Sequence, residues 1–130
     1  MPALERLRGM RIVAEPSALD DAHWYGDDLL ILRTAPDEAI AFGSDPDVET
    51  WDSTLGITEP ETGFVGARVV LGDLQRHIEW SLPASRPVLA QGAIAGVPAK
   101  LWIASDDGTA FLVTHAAYAH ELEQRLGWRT

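Results

Sequence analysis

The residues able to do chemistry in this 130-residue chain are four histidines, twenty acids, and serines and threonines without a cysteine among them. A metal centre on a helix needs histidines and carboxylates three or four residues apart, so that they share one face. His115 and His120 stand five apart, and His77 and Glu79 stand two apart. Neither spacing turns two ligands toward one ion, and His23 adds no chelating pair. The absence of cysteine removes thiolate nucleophiles, sulfur ligands and disulfides. A serine nucleophile on a Gly-x-Ser-x-Gly elbow is also absent. Asp37-Glu38 and Asp106-Asp107 are adjacent acids in turns, where carboxylates are solvated rather than paired for acid–base work. The glycines from Gly92 to Gly96 read as a hairpin and open no helix, so they form no phosphate loop. These residues predict no catalytic set, no metal and no cofactor.

The aromatic residues point to recognition instead. Trp51, Trp80 and Trp128 fall on or beside expected helices, where burial in the core or its rim accounts for them. Trp102 lies on the polar face of its strand next to Lys100, while Trp24 and Tyr25 sit in an Asp-rich stretch. Exposed aromatics concentrate binding energy at protein interfaces. Trp24, Tyr25 and Trp102 are therefore the candidate interface residues.

The formal net charge is −10, and it is unevenly spread. Between Glu15 and Thr62 there are thirteen acidic residues and one basic residue, Arg33. Such a segment repels a polyphosphate backbone, so nucleic acid is excluded as a partner. It serves either as a solvated face that maintains solubility or as a docking face for a basic partner.

These residues need elements to position them, and the last third of the chain is the most clearly patterned. Val97, Ala99, Leu101 and Ile103 alternate with Pro98, Lys100, Trp102 and Ala104, which predicts a strand over 97–104 with one apolar face. Strands are also expected over 88–94 and 110–113. Ala95-Gly96 and Asp106-Asp107-Gly108 supply the connecting turns. Thr114 is expected to cap a helix over 114–126, with Tyr118, Ala119, Leu122 and Leu126 on one face and Gly127 ending it.

Upstream, residues 16–28 read as a loop or short helical turn. Residues 29–32 and 38–42 read as a hairpin across Ala35-Pro36-Asp37. Ser44 or Asp45 is expected to cap a helix with Pro46 in its first turn and Val48, Trp51 and Leu55 on one face. Residues 56–63 read as a polar loop, 64–71 as a central strand, and Gly72-Asp73 as the start of a short helix. Strands linked mostly by short connections predict an α+β domain, its sheet largely antiparallel. Length predicts one domain over 1–130, with an N-terminal lead-in over 1–28 and a core over 29–127. No apolar run is long enough to cross a membrane, and no secretory signal is evident, so a cytoplasmic location is expected.

The order of these segments carries a resemblance. A strand, Ala35-Pro36-Asp37-Glu38 and a second strand are followed by Ile78-Glu79-Trp80-Ser81-Leu82-Pro83. Then come Leu89-Ala90-Gln91-Gly92, Ala95-Gly96-Val97-Pro98-Ala99-Lys100-Leu101-Trp102 and Phe111-Leu112-Val113-Thr114. Ala117-Tyr118-Ala119-His120-Glu121-Leu122 closes the chain. Spanning residues 29–126, this order resembles the gamma subunit of heterotetrameric sarcosine oxidase and, more distantly, the folate-binding domain of the glycine-cleavage T-protein superfamily. The resemblance implies a ferredoxin-like sheet of the T-protein type with helices packed on one face. It also implies a non-catalytic accessory role by association with another protein chain, in a homo-oligomer or an oxidase-like hetero-complex. The competing reading is a degenerate folate- or small-ligand-binding protein, with a pocket of convergent polar groups near Trp80 or Trp102. The acidic residue on which the aminomethyltransferases hold the pteridine has no counterpart in the sequence.

Overall fold

The computed structural model describes residues 3–49 and 56–128. In chain order the elements are β1 (Glu5–Arg6), β2 (Gly9–Val13), α1 (Pro16–Asp20), β3 (His23–Ala35), β4 (Glu38–Glu49), β5 (Ile57–Glu61), β6 (Phe64–Val70), α2 (Leu71–Leu74), β7 (Val88–Ile94), β8 (Val97–Ile103), β9 (Thr109–His115) and α3 (Ala119–Arg125). Short 3-10 turns, Gln75–His77 and Ala116–Tyr118, follow α2 and precede α3. The expected α+β fold with antiparallel strands is met, and the strands are shared between two sheets. The chain groups into two compact units, Met1–Arg6 with Gly63–Thr130, and Leu7–Thr62.

The first unit holds the five-stranded sheet, ordered β1-β6-β9-β8-β7 and antiparallel throughout. Alternation along β8 decides its two faces. Val97, Ala99, Leu101 and Ile103 are buried, whereas Pro98, Lys100 and Trp102 point the other way. Ala90 and Ile94 of β7 and Ala110 and Leu112 of β9 join the inner face, and Leu74 of α2, Leu122 of α3 and Leu126 just after it cover it. Both helices thus pack on the same face of the sheet. The β7–β8 turn has positive φ at Ala95 (51°) and Gly96 (79°), the pattern of a type I′ hairpin turn. Its unusual Ala95 is held from both sides: the N–H donates to the His77 carbonyl at 2.8 Å, and the carbonyl accepts from Arg125 at 2.7 Å. Gly127 ends the last helix at φ 78°. The Gly127 N–H bonds the Gln124 carbonyl, and the Trp128 N–H bonds that of Glu123, which completes a Schellman cap.

The expected helix over 114–126 starts later than the sequence reading placed it. β9 stays paired with β6 through Thr114↔Val65 and His115↔Phe64. Thr114 is 1% exposed, and its hydroxyl donates to the Pro98 carbonyl at 2.8 Å. A β-branched residue fits that ladder, and its hydroxyl bonds across the sheet rather than capping a helix. The helix start has no side-chain cap.

The second unit is the four-stranded antiparallel sheet β3-β4-β2-β5. Its small core joins Ile12, Ala14, Ala18, Leu19 and Ala39, with Trp24 and Val48 against it. Here the sequence reading is corrected in three places. Residues 23–28, read as loop or helical turn, continue β3. Residues 44–49, read as the start of a helix, continue β4. Between Tyr25↔Asp47 and Asp27↔Ser44 the register shifts, leaving Asp45 and Pro46 opposite Gly26 alone. That bulge accommodates a proline, because no ladder donor is required of it there. Trp51 and Leu55, two thirds of the expected helix face, lie outside the described residues. Residues 57–61, read as polar loop, form β5, an edge strand that tolerates Pro60.

Candidate functional site

Trp24 and Tyr25 are consecutive on β3, so their side chains leave opposite faces of the strand. Trp24 is half-buried against the small core, and Tyr25 is 53% exposed. The Tyr25 hydroxyl donates to Glu49 Oε2 at 3.2 Å on the neighbouring strand. This bond, with the charges of Glu49 and Asp47, raises the Tyr25 pKa above the usual phenol value by favouring the protonated form. Asp47 is the register partner of Tyr25 on β4, Asp27 and Asp28 follow Tyr25 on β3, and Asp45 lies further along β4.

Trp102 belongs to the five-stranded unit. It is half-buried on the outer face of β8, in register with Leu89 of β7 and Phe111 of β9. The next outward residue of β8, Lys100, donates from Nζ to Gln91 Oε1 at 2.7 Å. A cleft of about 240 Å³ opens beside this pair, and it is also lined by Phe64, Ala93, Pro98 and His115. The His115 ring stacks on Phe64 with centroids 4.4 Å apart.

Trp80 has a role that its expected place beside a helix did not reveal. Its indole Nε1 donates to the Ala93 carbonyl at 2.8 Å. A Cβ at Gly92 would lie 2.7 Å from the Trp80 ring, so only glycine lets the indole sit on this stretch of β7. A glycine in the middle of an apolar strand was the available signal for such a close approach.

The paired acids serve the fold. Asp107 Oδ1 accepts from the Thr109 N–H at 2.9 Å and the Thr109 hydroxyl at 2.8 Å. Those bonds, the backbone one first, hold the Asp107 carboxyl below its ordinary pKa. Glu38 accepts from the Thr34 hydroxyl at 2.6 Å, and Arg11 binds Glu61 at 2.7 Å. That ion pair, through its hydrogen bond first, raises the Arg11 pKa further. Among the described residues no three His, Asp or Glu side chains converge as a metal site. Nor, among those residues, is any helix long and apolar enough to cross a membrane.

The charge divides sharply between the units. Leu7–Thr62 carries thirteen acidic and three basic residues, a net −10, and the remainder carries seven of each, a net of zero.

No family model and no curated protein matches the sequence. The fold does have a counterpart among solved structures. A chain of the heterotetrameric sarcosine oxidase from Corynebacterium sp. U-96, solved in complex with pyrrole 2-carboxylate, superposes with a TM-score of 0.66 over 98% of this chain and 84% of that one, at 11% identity. At that identity the likeness is one of fold.

Proposed function

We propose that this chain is a non-catalytic accessory module that acts by associating with another protein chain, in the manner of a sarcosine oxidase gamma subunit. The observation that carries this reading is the fold shared over 98% of the chain with a component of a heterotetrameric oxidase. The charge partition supports it, because a unit of net −10 steers a basic partner and orients its approach. Tyr25, exposed on the acidic unit, and Trp102, between Leu89 and Phe111 on the other unit, are each proposed as aromatic contact residues, and Trp24 packs on the small core from the opposite face of β3.

The experiment is affinity isolation of the tagged chain from its own host at low salt, followed by kinetics with the partner so recovered. Tyr25→Ala and Trp102→Ala should each weaken the complex through faster dissociation, while the variants keep their circular dichroism spectra. Association that both variants leave unchanged would remove these residues from the interface. Failure to recover any stoichiometric partner would remove the reading itself.

A further inference from the structure

The unit Leu7–Thr62 carries a groove of about 590 Å³ at the end of its sheet, where β2 stops, the β3–β4 turn reverses and β5 begins. Pro16, in the first turn of α1, and Pro36, in the β3–β4 turn, line it together with Val13 and Ile57. Ile57 is 67% exposed, an apolar side chain held out in solvent. The two prolines are fixed in place by one guanidinium. Arg33 Nη2 donates to the carbonyls of both Pro16 and Pro36, and Arg33 Nε donates to those of Ala35 and Pro36 at 3.1 Å each. The Ala14 N–H donates to the Asp37 carbonyl at 3.0 Å and ties the turn to the end of β2. Arg33 also meets Asp20 at 3.0 Å, so the one basic residue between Glu15 and Thr62 is spent on holding the groove together. Arg11 is engaged by Glu61 and Glu38. Glu15 and Asp37 are exposed and line the same groove. Among the described residues, neither carboxylate has a hydrogen bond or an ion pair.

We propose that this groove docks a basic segment of the partner chain, with the aliphatic stem of an arginine or lysine on Pro16, Pro36 and Ile57 and its cationic head on Glu15 and Asp37. The inference rests on the association reading for its partner and locates the contact within the acidic unit. Charge selects the occupant. Arg11 and Arg33 are already paired, so the carboxylates of an apolar groove in a unit of net −10 are left for a cation from outside. Arginine and lysine meet both demands, because their hydrocarbon stems cover apolar surface while the charged head stays at the polar rim. The volume lies within the roughly 300–1,000 Å³ of sites that enclose small ligands, which is ample for one such side chain. Proline has no rotamers to lose, so covering Pro16 and Pro36 keeps the entropic cost of docking low.

The test is titration of the full-length chain with a blocked peptide, acetyl-Ala-Leu-Arg-Leu-Ala-amide, and with its citrulline isostere, which keeps the shape and loses the charge. The arginine peptide should shift the backbone amide signals of Ala14, Asp37 and Ile57 saturably in ¹⁵N NMR. The citrulline peptide should bind about tenfold more weakly or worse, as expected for a lost charge-assisted hydrogen bond. Glu15→Gln combined with Asp37→Asn should cost the arginine peptide about tenfold or more. Asp27→Asn combined with Asp28→Asn removes the same charge from the same unit outside the groove, and should leave the affinity within about twofold at about 0.15 M salt. Ile57→Glu should weaken binding although it adds a negative charge, the reverse of what diffuse attraction gives. All five positions are exposed, so the urea midpoint should stay in place. Equal binding of the two peptides, equal losses in the two double variants, undiminished binding by Ile57→Glu, or no saturation would each overturn the proposal. Shifts of the same amides on concentrating the protein alone would put a second copy in the groove and overturn it too. The titration is read on the isolated chain, so failure to recover a partner from the host counts against the association reading alone. Recovery of a partner that Glu15→Gln with Asp37→Asn leaves undiminished would keep that reading and overturn this one.

Discussion

Trp80 and Gly92 illustrate how single residues set this fold. The indole lies where a side chain at Gly92 would be, 2.7 Å from the position of its Cβ. Gly92→Ala should therefore destabilise the protein by about 1–3 kcal/mol, the usual cost of overpacking, measured from the urea midpoint. Leu101 and Leu122 face each other's core at 0% exposure, and truncating either to alanine should cost about 2–5 kcal/mol in the same assay. An unchanged midpoint in both would mean that the inner face was misassigned. Leu101 and Leu122 were legible from periodicity, since alternation and helical spacing each identify a buried face. The contact of Trp80 was not legible, because it joins a loop to a strand twelve residues on and leaves no local pattern. For Tyr25 the hydrogen bond to Glu49 favours the neutral phenol. A raised folded-state pKa means that its contribution is present below the unfolded value of about 10 and lost as pH rises through the folded one. Glu49→Gln should lower the Tyr25 titration midpoint, read by ultraviolet difference absorbance at high pH, and no change would break the assigned bond.

Elements built from local contacts were the ones legible in advance. The β7–β8 hairpin is set by alternation and a two-residue turn, and α3 ends on Gly127, whose positive φ completes the Schellman cap. The β3–β4 arm was misread because capping residues followed by proline also form the signature of a helix start. What decides for a strand there is pairing with residues some twenty positions away, and that is a tertiary effect. A bulge opposite Gly26 then removes the objection to Pro46. Thr114 shows the same competition, with a cross-sheet bond to Pro98 prevailing over a cap. The turn leading into β9 gives a pH test. Asp107 has a depressed pKa through its bonds to Thr109. Its contribution is therefore present above the unfolded value of about 3.9 and lost as pH falls through the folded value. Thr109→Val removes one of the two bonds, so the Asp107 carboxyl should titrate at higher pH by NMR. A titration identical to that of the parent would show that the hydroxyl bond has no electrostatic effect.

At the scale of the whole molecule, the distribution of charge matters more than its total. All of the net −10 belongs to the unit Leu7–Thr62, while the unit with the five-stranded sheet is neutral. The acidity of the first half was plain from composition, but its confinement to one compact unit emerged only when Arg8 and Arg11 were placed with it and β1 was paired with β6. A field of one sign confined to one body accelerates encounter with a basic surface and is screened over about 8–10 Å in ordinary salt. The most direct test of the association reading is the native mass of the chain isolated from its own host, determined by light scattering across a series of salt concentrations. The account predicts a complex of fixed stoichiometry at low ionic strength that falls apart as salt is raised. A chain that runs at the mass of a single copy at every ionic strength would contradict it.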